Sequence, residues 1–351
     1  MFNLFKKYGT GALLDTRTSE EKLSDYTQRE LVASVAAPVF PVKTKSEVRS
    51  FPVFNQGSSN SCVANTAAKL LGIMLWLKNG EFVRFSATHI YQRRANKPYP
   101  GMNGIDAFTI AREGVTLEQL VKSEQLTDQQ MDEAKIEQYK KDVASVFKLG
   151  NYLQIDARDF NAVASTIEQT GKGVMVWFYF NSSEWSREFP QVQDSLLSLT
   201  HPSTLRHSVT AVDTATINGE QVLVIEDSAH FGGLSRRFIN RAFFEARNYF
   251  AAYPINFKFD EQTSKPVYRF GQTLTLGMQN EDVKALQDVL KYELLFPSNT
   301  ASSGYYGSVT AKAVLAFQRK YAVASESELT QLAGGTVGSK TIAKLNELYG
   351  Q

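Results

Sequence analysis

The chain has 351 residues, of which 43% are hydrophobic and 21% charged, and its formal net charge is +2 at pH 7. This composition is typical of a globular protein, so it excludes bulk disorder, and the near-zero net charge gives no support to a nucleic-acid partner. Because single hydrophobic cores usually stop growing near ~250 residues, the length predicts one large domain and one small one.

The chain contains one cysteine, Cys62. A single thiol excludes an internal disulfide framework and a multi-thiolate metal site, so Cys62 is either a buried hydrophobe or a nucleophile. The N-terminus lacks the apolar run of a secretory signal, and no stretch approaches the ~18 apolar residues that cross a bilayer. We therefore expect a protein made in the cytoplasm, without membrane insertion, whose export would need another route.

Residues 1–50 carry scattered charge and little periodicity, which predicts an extended segment that lies over a core, with a propeptide as the alternative. From Cys62 onward, apolar residues recur at helical spacing as far as Leu75, and Asn79-Gly80 supplies a stop. This pattern predicts a helix over residues 62–79 that begins at the cysteine.

The middle of the chain alternates between helical and strand patterns. A charged, helix-compatible stretch covers residues 116–147, an amphipathic helix is predicted at 160–169 and a buried strand at 174–180. A polar loop containing Trp185 follows, and then two strand-like runs, 208–215 and 221–226, flank Asn218-Gly219, a strong hairpin signal. Helices followed by antiparallel strands predict an α+β domain over residues 51–259, with a polar linker at 260–269.

The last segment, residues 270–351, predicts a small bundle of three amphipathic helices at 281–293, 308–321 and 339–349. Ser308 and Ser339 are placed to cap the second and third helices. From residue 270 onward there are seven Lys or Arg and seven Asp or Glu residues. A ligand of this neutral segment must therefore be held by shape and hydrogen bonds.

A loop rich in Gly, Ser and Asn runs directly into the helix that begins at Cys62. The positive end of the helix dipole favours thiolate over thiol at that position. A thiolate also needs a base, and the chain has four histidines: His89, His201, His207 and His230. We expect His207 to be that base and the other three to be bystanders, because His207 opens the first hairpin strand and Asp227 follows the second, where a carboxylate can fix the imidazole orientation.

These positions resemble papain-like cysteine peptidases. Gln56 lies six residues before Cys62, as in that family, and the order Gln, Cys, His, then Asn or Asp is matched. The resemblance implies that the Gln56 side chain and the Cys62 backbone N–H form an oxyanion hole, and that Asp227 orients His207. It extends over roughly residues 36–259, and Gly104 corresponds within it to a glycine of the substrate cleft.

Three positions depart from the family pattern. Ser59 replaces a disulfide cysteine, Asp227 replaces the usual Asn, and Ala229 stands where a shielding Trp is expected. The extra charge of Asp227 is expected to raise the pKa of His207. Without the Trp, the resemblance predicts a His–Asp pair that is exposed to water.

The hairpin register decides whether His207 and Asp227 can meet. A strict two-residue turn at Asn218-Gly219 would place His207 opposite His230 and turn Asp227 to the other face. We therefore predict either an odd-numbered loop or a bulge.

The C-terminal segment resembles the peptidoglycan-binding domain of wall hydrolases. The pattern includes Leu286-Gln287, Thr310, Phe317-Gln318 and Thr341, spaced between amphipathic helices. This resemblance implies peptidoglycan as a partner and action at the cell wall or on a virion. Similar domains also serve as regulatory prodomains, which is the alternative role.

Together these resemblances predict a two-lobed papain-like fold, with a helical lobe and an antiparallel β-sheet lobe, followed by a three-helix peptidoglycan-binding domain. The predicted activity is thiol-dependent cleavage of a peptide or protein substrate by Cys62, His207, Asp227 and Gln56, targeted to the bacterial wall as a bacterial or phage lytic factor. The alternatives are a catalytically degenerate wall-binding protein, a bacteriocin-leader peptidase and transglutaminase-type acyl transfer. No motif for a metal, nucleotide or other cofactor occurs, so none is predicted.

Overall fold

The computed structural model describes residues 11–18, 22, 37–258, 265–293, 295–296 and 302–350. The chain divides into two compact units, Met1–Lys135 with Lys148–Phe257, and Ile136–Phe147 with Lys258–Gln351. Part of the predicted linker, residues 259–264, lies outside the described residues. The segment 136–147, which we had expected within the larger domain, belongs to the second unit.

The first long helix, α1 (Cys62–Asn79), begins at the cysteine as predicted and is buried over most of its length. Gly80 ends it with φ 81°, a left-handed conformation that glycine adopts without steric cost. The predicted charged stretch 116–147 contains two short helices separated by loops. The remaining helices up to the end of the sheet are α2 (Ala87–Tyr91), α3 (Gly104–Glu113), α4 (Asp128–Asp132), α5 (Gln138–Ala144), α6 (Phe160–Thr170), α7 (Ser182–Trp185) and α8 (Arg241–Arg247).

A six-stranded sheet forms the second lobe of the first unit. Its strands are β1 (Lys148–Ile155), β2 (Val174–Phe180), β3 (Leu205–Ile217), β4 (Glu220–Glu226), β5 (Arg236–Asn240) and β6 (Asn248–Lys258). They lie in the order β1-β6-β2-β3-β4-β5, and β2, β3, β4 and β5 pair antiparallel. One face of the sheet packs against α6 and α8 through Phe160 and Phe244, and the other packs against α1 through Ile73.

The β3–β4 hairpin combines a two-residue turn with a bulge. Ile217 pairs with Glu220, so Asn218 and Gly219 form the turn, with φ 53° and 83°, as a type I′ turn requires. The register then shifts by one residue between Ala211 and Asp213. The predicted bulge is thus confirmed.

The shifted register has a direct effect on the two predicted catalytic side chains. Beyond the bulge, Thr210 pairs with Glu226, so the next rung brings Asp227 level with Val209. His207 lies two residues from Val209 and shares its face, because side chains alternate along a strand. The bulge therefore brings Asp227 to the side of the sheet that carries His207.

The second unit contains the three predicted helices, α9 (Glu281–Tyr292), α10 (Ser308–Lys320) and α12 (Ser339–Tyr349). It also contains a short helix, α11 (Glu326–Leu332), and a two-stranded sheet of β7 (Leu274–Thr275) and β8 (Thr336–Val337), which the sequence patterns did not indicate. In the described ranges of the whole chain, no helix is both long and apolar enough to span a membrane.

The prediction that Ser308 and Ser339 cap α10 and α12 is wrong. Gly307 and Gly338 are the N-cap residues, and neither makes a side-chain capping bond because glycine has no side chain. The two serines are instead the first helical residues.

Two buried glutamines hold the starts of these helices. Gln287 donates from Nε2 to Thr310 Oγ1 at 3.0 Å, and Gln318 donates to Thr341 Oγ1 at 3.0 Å, in both cases across 23 positions. Each amide also donates to a backbone carbonyl near the same helix start. The Leu-Gln and Phe-Gln pairs therefore have a structural role within the second unit.

Candidate active site

Cys62 lies in the first turn of the 18-residue helix α1 and is fully buried. At the end of such a helix, unpaired backbone N–H groups stabilise negative charge. The backbone N–H of Gly11 donates to Cys62 Sγ at 3.3 Å. The buried thiol is therefore in polar contact with a segment near the N-terminus.

His207 and Asp227 form a buried pair. His207 Nε2 lies 2.7 Å from Asp227 Oδ1, and the two side chains are 1% and 0% exposed. The other ring nitrogen, Nδ1, is buried and has no hydrogen-bond partner among the described residues. The Cys62 side chain lies close enough to affect the protonation of His207. Asp227 therefore occupies Nε2 and leaves Nδ1 without a hydrogen bond from the described part of the chain.

The two partners shift each other's pKa in opposite directions. Burial alone lowers the pKa of His207, but the Asp227 carboxylate and the Cys62 sulfur outweigh burial and raise it from 6.5 to about 10. Burial alone would raise the pKa of Asp227, but the charges of His207 and Arg237 hold it well below 3.8. The site therefore favours imidazolium beside carboxylate.

The expectation that the His–Asp pair is exposed to water is wrong. Trp185 donates from Nε1 to Asp227 Oδ2 at 3.0 Å, and its ring meets the His207 ring edge-on with centroids 6.4 Å apart. Trp185 is itself buried and stacks on Phe180 at 4.4 Å. A tryptophan from α7 thus covers the pair in place of one at position 229. Sequence reasoning missed it because Trp185 lies far from Asp227 along the chain.

Arg237 is the second residue that the sequence patterns did not reveal. It is fully buried at the start of β5, and its Nη1 donates to Asp227 Oδ2 at 2.6 Å. Its guanidinium also lies over the Trp185 ring, 4.8 Å from the centroid. The sequence holds one weak signal. Arg237 directly precedes Phe238 and Ile239, so a charged residue adjoins the apolar residues of β5.

Gln56 is fully buried beside the loop that leads into Cys62. Its Oε1 accepts from Ser228 Oγ at 2.7 Å, and its Nε2 donates to Ser59 O at 2.8 Å. Its backbone N–H also donates to Ser228 O at 2.9 Å. These contacts fix the amide with its oxygen toward the residue after Asp227 and its NH₂ group toward the cysteine loop.

An N-terminal strap, residues 11–13, lies over the thiol. Ala12 forms a parallel bridge with Met102, with Met102 N donating to Gly11 O at 2.7 Å and Leu13 N donating to Met102 O at 3.1 Å. Tyr249 Oη donates to Ala12 O at 3.5 Å. A Cβ on Gly11 would lie 1.8 Å from Asn60 O, so the strap fits this cleft only with glycine at position 11.

Gly104 is the first residue of α3 and lies two residues after Met102, which pairs with the strap. A Cβ there would lie 2.6 Å from Trp177 Cζ2, so close packing against Trp177 is one reason for a glycine. A role for Gly104 in substrate binding remains a prediction.

The other three histidines are His89, His201 and His230, and none of them has a described contact with Cys62. His89 Nδ1 accepts from Thr116 N at 3.3 Å, and His201 Nδ1 lies 2.8 Å from Ser203 Oγ. His230 stands in the turn after Asp227 with φ 51°.

A buried ion pair links the two lobes behind the site. Lys69 of α1 pairs with Glu226, the residue before Asp227, and both are almost fully buried. Glu226 Oε1 also accepts from Phe51 N at 2.8 Å. Burial lowers the pKa of Lys69 more than Glu226 raises it. The pair connects the helix that carries Cys62 to the strand that leads to Asp227.

The first unit has the papain-like cysteine protease fold. Xylellain, a cysteine protease from Xylella fastidiosa, superimposes with a TM-score of 0.52 at 16% identity, over 72% of this chain and 98% of that one. Digestive procathepsin L 3 of Tenebrio molitor larval midgut aligns with a TM-score of 0.49 at 18% identity, over 71% of this chain and 83% of that one.

The second unit contains a recognised sequence family. Residues 279–326 match the family model described as a peptidoglycan binding domain. No curated protein sequence matches the chain.

Proposed function

We propose that the first unit is a thiol endopeptidase with Cys62 as nucleophile and His207 as base. The observation that carries this proposal is the buried His207–Asp227 pair, 2.7 Å apart, together with a Cys62 side chain at a helix N-terminus that lies close enough to act on the His207 imidazole. His207 accepts the Cys62 proton, and the thiolate sulfur forms a bond to the substrate carbonyl carbon. As the C–N bond breaks, the imidazolium returns its proton to the leaving amine, and water then releases the acyl group from sulfur.

Gln56 is proposed to stabilise the oxyanion together with the Cys62 backbone N–H. The contacts with Ser228 and Ser59 support this role, because they hold the amide with its NH₂ group toward the loop that leads into Cys62. Donors that are preorganised toward developing charge supply a large part of transition-state stabilisation.

The N-terminal strap is proposed to inhibit the enzyme until it is displaced. It presents the N–H of Gly11 to Cys62 Sγ, whereas a productive substrate must present a carbonyl carbon. The strap therefore occupies the nucleophile in an orientation that the thiolate cannot attack. This extends the expectation of an N-terminal propeptide before the peptidase domain predicted at residues 51–259.

The second unit is proposed to hold the enzyme at peptidoglycan, where wall peptides or wall-attached proteins become its substrates. The family match at residues 279–326 supports this targeting, and linked binding raises the local substrate concentration. Transglutaminase-type acyl transfer would use the same acyl-enzyme and differ only in the nucleophile that releases it.

The test uses the full chain carrying Gly11→Val, which displaces the strap, with the same chain carrying Cys62→Ala as control. Incubation with a peptide library and with purified sacculi, followed by mass spectrometry, should give cleavage products that the control lacks. Gln56→Ala should lower the cleavage rate by about 10²- to 10³-fold. An added primary amine that becomes incorporated would indicate acyl transfer instead. No products, together with alkylation of Cys62 by iodoacetamide no faster than in a His207→Ala chain, would show a degenerate site.

A further inference from the structure

Four donors converge on the carboxylate of Asp227. Oδ1 lies 2.7 Å from His207 Nε2 and 2.8 Å from Ala229 N, while Oδ2 lies 3.0 Å from Trp185 Nε1 and 2.6 Å from Arg237 Nη1. A carboxylate offers about four lone-pair sites, so all of them are used. An amide at this position would set its NH₂ group against the Trp185 and Arg237 donors. The surroundings of position 227 are therefore built for a carboxylate.

Arg237 is held rigidly where it contacts Asp227. Its Nε donates to Trp185 O at 2.8 Å and its Nη2 donates to Phe231 O at 2.5 Å, while Nη1 also donates to Leu234 O at 3.2 Å. These neutral carbonyl partners fix the guanidinium but do not neutralise it. Asp227 is the one carboxylate paired with Arg237 among the described residues.

The four ionisable groups of the site balance in charge. Once His207 has accepted the Cys62 proton in the proposed mechanism, the thiolate and Asp227 carry two negative charges, and the His207 imidazolium and Arg237 carry two positive ones. Removing Arg237 leaves one buried negative charge in excess, and removing only the Asp227 charge leaves one positive charge in excess. A buried charge without a partner is strongly unfavourable, so neither change alone is tolerated as well as both together.

We propose that Arg237 is a positioning residue that balances the charge of Asp227 and thereby sets the proton affinity of His207. It acts through Asp227 and does not touch the reacting atoms. The catalytic consequence rests on the proposed function, whereas the electrostatic coupling does not. Cys62 also acts on the protonation of His207, and Tyr249 and Arg206 lie near Cys62 in turn. His230 and Glu226, which pairs with Lys69, are near Asp227 along the chain. All of these groups stay constant across the variants below.

The test follows His207 directly by NMR in the full chain. With ¹⁵N-labelled histidine, the four imidazoles give separate titrations, and a His207→Gln chain assigns the signal of interest. We expect the midpoint of His207 to be lowest in Asp227→Asn, higher in Asp227→Asn/Arg237→Met, and higher still in the natural chain. The step from Asp227→Asn to the double variant should be about one pH unit or more, because a nearby positive charge opposes protonation. Identical midpoints in these two variants would overturn the proposal.

A second variant separates charge from structure. Arg237→Lys keeps the positive charge but cannot make the same set of carbonyl hydrogen bonds, so its melting temperature should fall while the His207 midpoint stays near the natural one. A midpoint that moves in Arg237→Lys as far as in Arg237→Met would show that packing, not charge, is responsible. These titrations need no substrate, so they remain informative even if peptide cleavage is never observed.

Discussion

At the scale of single residues, side chains that lie far apart along the chain surround the buried His207–Asp227 pair. Trp185 covers the pair from a separate helix. The extra charge of Asp227 is matched by Arg237. Both solutions depend on side chains that converge only in three dimensions.

The raised pKa of His207 predicts how stability depends on pH. A group whose pKa is higher in the folded state stabilises the fold fully below its unfolded pKa, and this contribution is lost as pH rises through the folded value. For His207 the contribution should be complete below pH 6.5 and should disappear by about pH 10. Asp227 has a lowered pKa, so its contribution persists above 3.8 and is lost only in stronger acid.

Urea denaturation of the natural chain and of His207→Gln at several pH values checks this dependence. The difference in unfolding free energy between the two chains should be on the order of a few kcal/mol near pH 6 and should shrink steadily toward pH 10. His201→Gln is the matched control, since His201 lies at an exposed turn. A constant difference across the range would contradict the proposed ion pair.

At the scale of elements, two local features decide what surrounds Cys62 and where Asp227 lies. The bulge in β3 selects the face on which Asp227 emerges, and the N-terminal strap covers the thiol. The strap makes two backbone hydrogen bonds with Met102, and its Ala12 side chain is buried. Glycine at position 11 is the steric condition for that fit.

Gly11→Val should therefore displace the strap and expose Cys62. The added side chain would collide with Asn60 O, where even a Cβ lies at 1.8 Å. We expect alkylation of Cys62 by iodoacetamide to accelerate at least about tenfold, since a tenfold change corresponds to only ~1.4 kcal/mol of strap binding. Gly271→Val is the control, because a Cβ there meets nothing within 4 Å. Equal rates in both variants and the natural chain would show that the strap does not protect the thiol.

At the scale of the whole molecule, the two units are not consecutive in sequence. Residues 136–147 leave the first unit and belong to the second, where Lys312 lies 3.6 Å from Glu137 and over the ring of Tyr139 at 4.3 Å. The second unit is also electrically neutral over residues 270–351, so long-range attraction does not contribute to its binding.

A chain that ends at residue 257 should lose sedimentation with purified sacculi. Its Cys62 alkylation rate should stay within about twofold when both chains carry Gly11→Val, because each site residue lies in the first unit. Its melting temperature should fall by a few degrees, because α5 loses its partner.

Binding of the full chain should persist when salt is raised to about 0.5 M, since screening weakens only charge interactions. A truncated chain that cleaves soluble peptides faster than the full chain would instead indicate a regulatory second unit.

Much of the architecture follows from local patterns. The start of α1 at Cys62, its end at Gly80, the buried strand β2 and the turn at Asn218-Gly219 each depend on periodicity or on backbone preference over a few residues. The sequence also predicted either an odd-numbered loop or a bulge, because strand alternation makes a one-residue shift decide which face a side chain occupies, and the structure has the bulge. The two failed capping predictions, at Ser308 and Ser339, each misplaced the N-cap by one residue, because local signals are weakest at helix boundaries.

The tertiary structure alone decided what surrounds the catalytic pair. Trp185 and Arg237 reach Asp227 across 42 and 10 positions of the chain, and Gly11 reaches Cys62 across 51. No periodicity links such positions, because their contact depends on how strands and loops pack once the core has formed. Sequence alone indicated Cys62, His207 and Asp227 as candidates and predicted the elements that carry them. Packing determined how these side chains are shielded, charged and covered, since burial and electrostatics depend on distances in space and not along the chain.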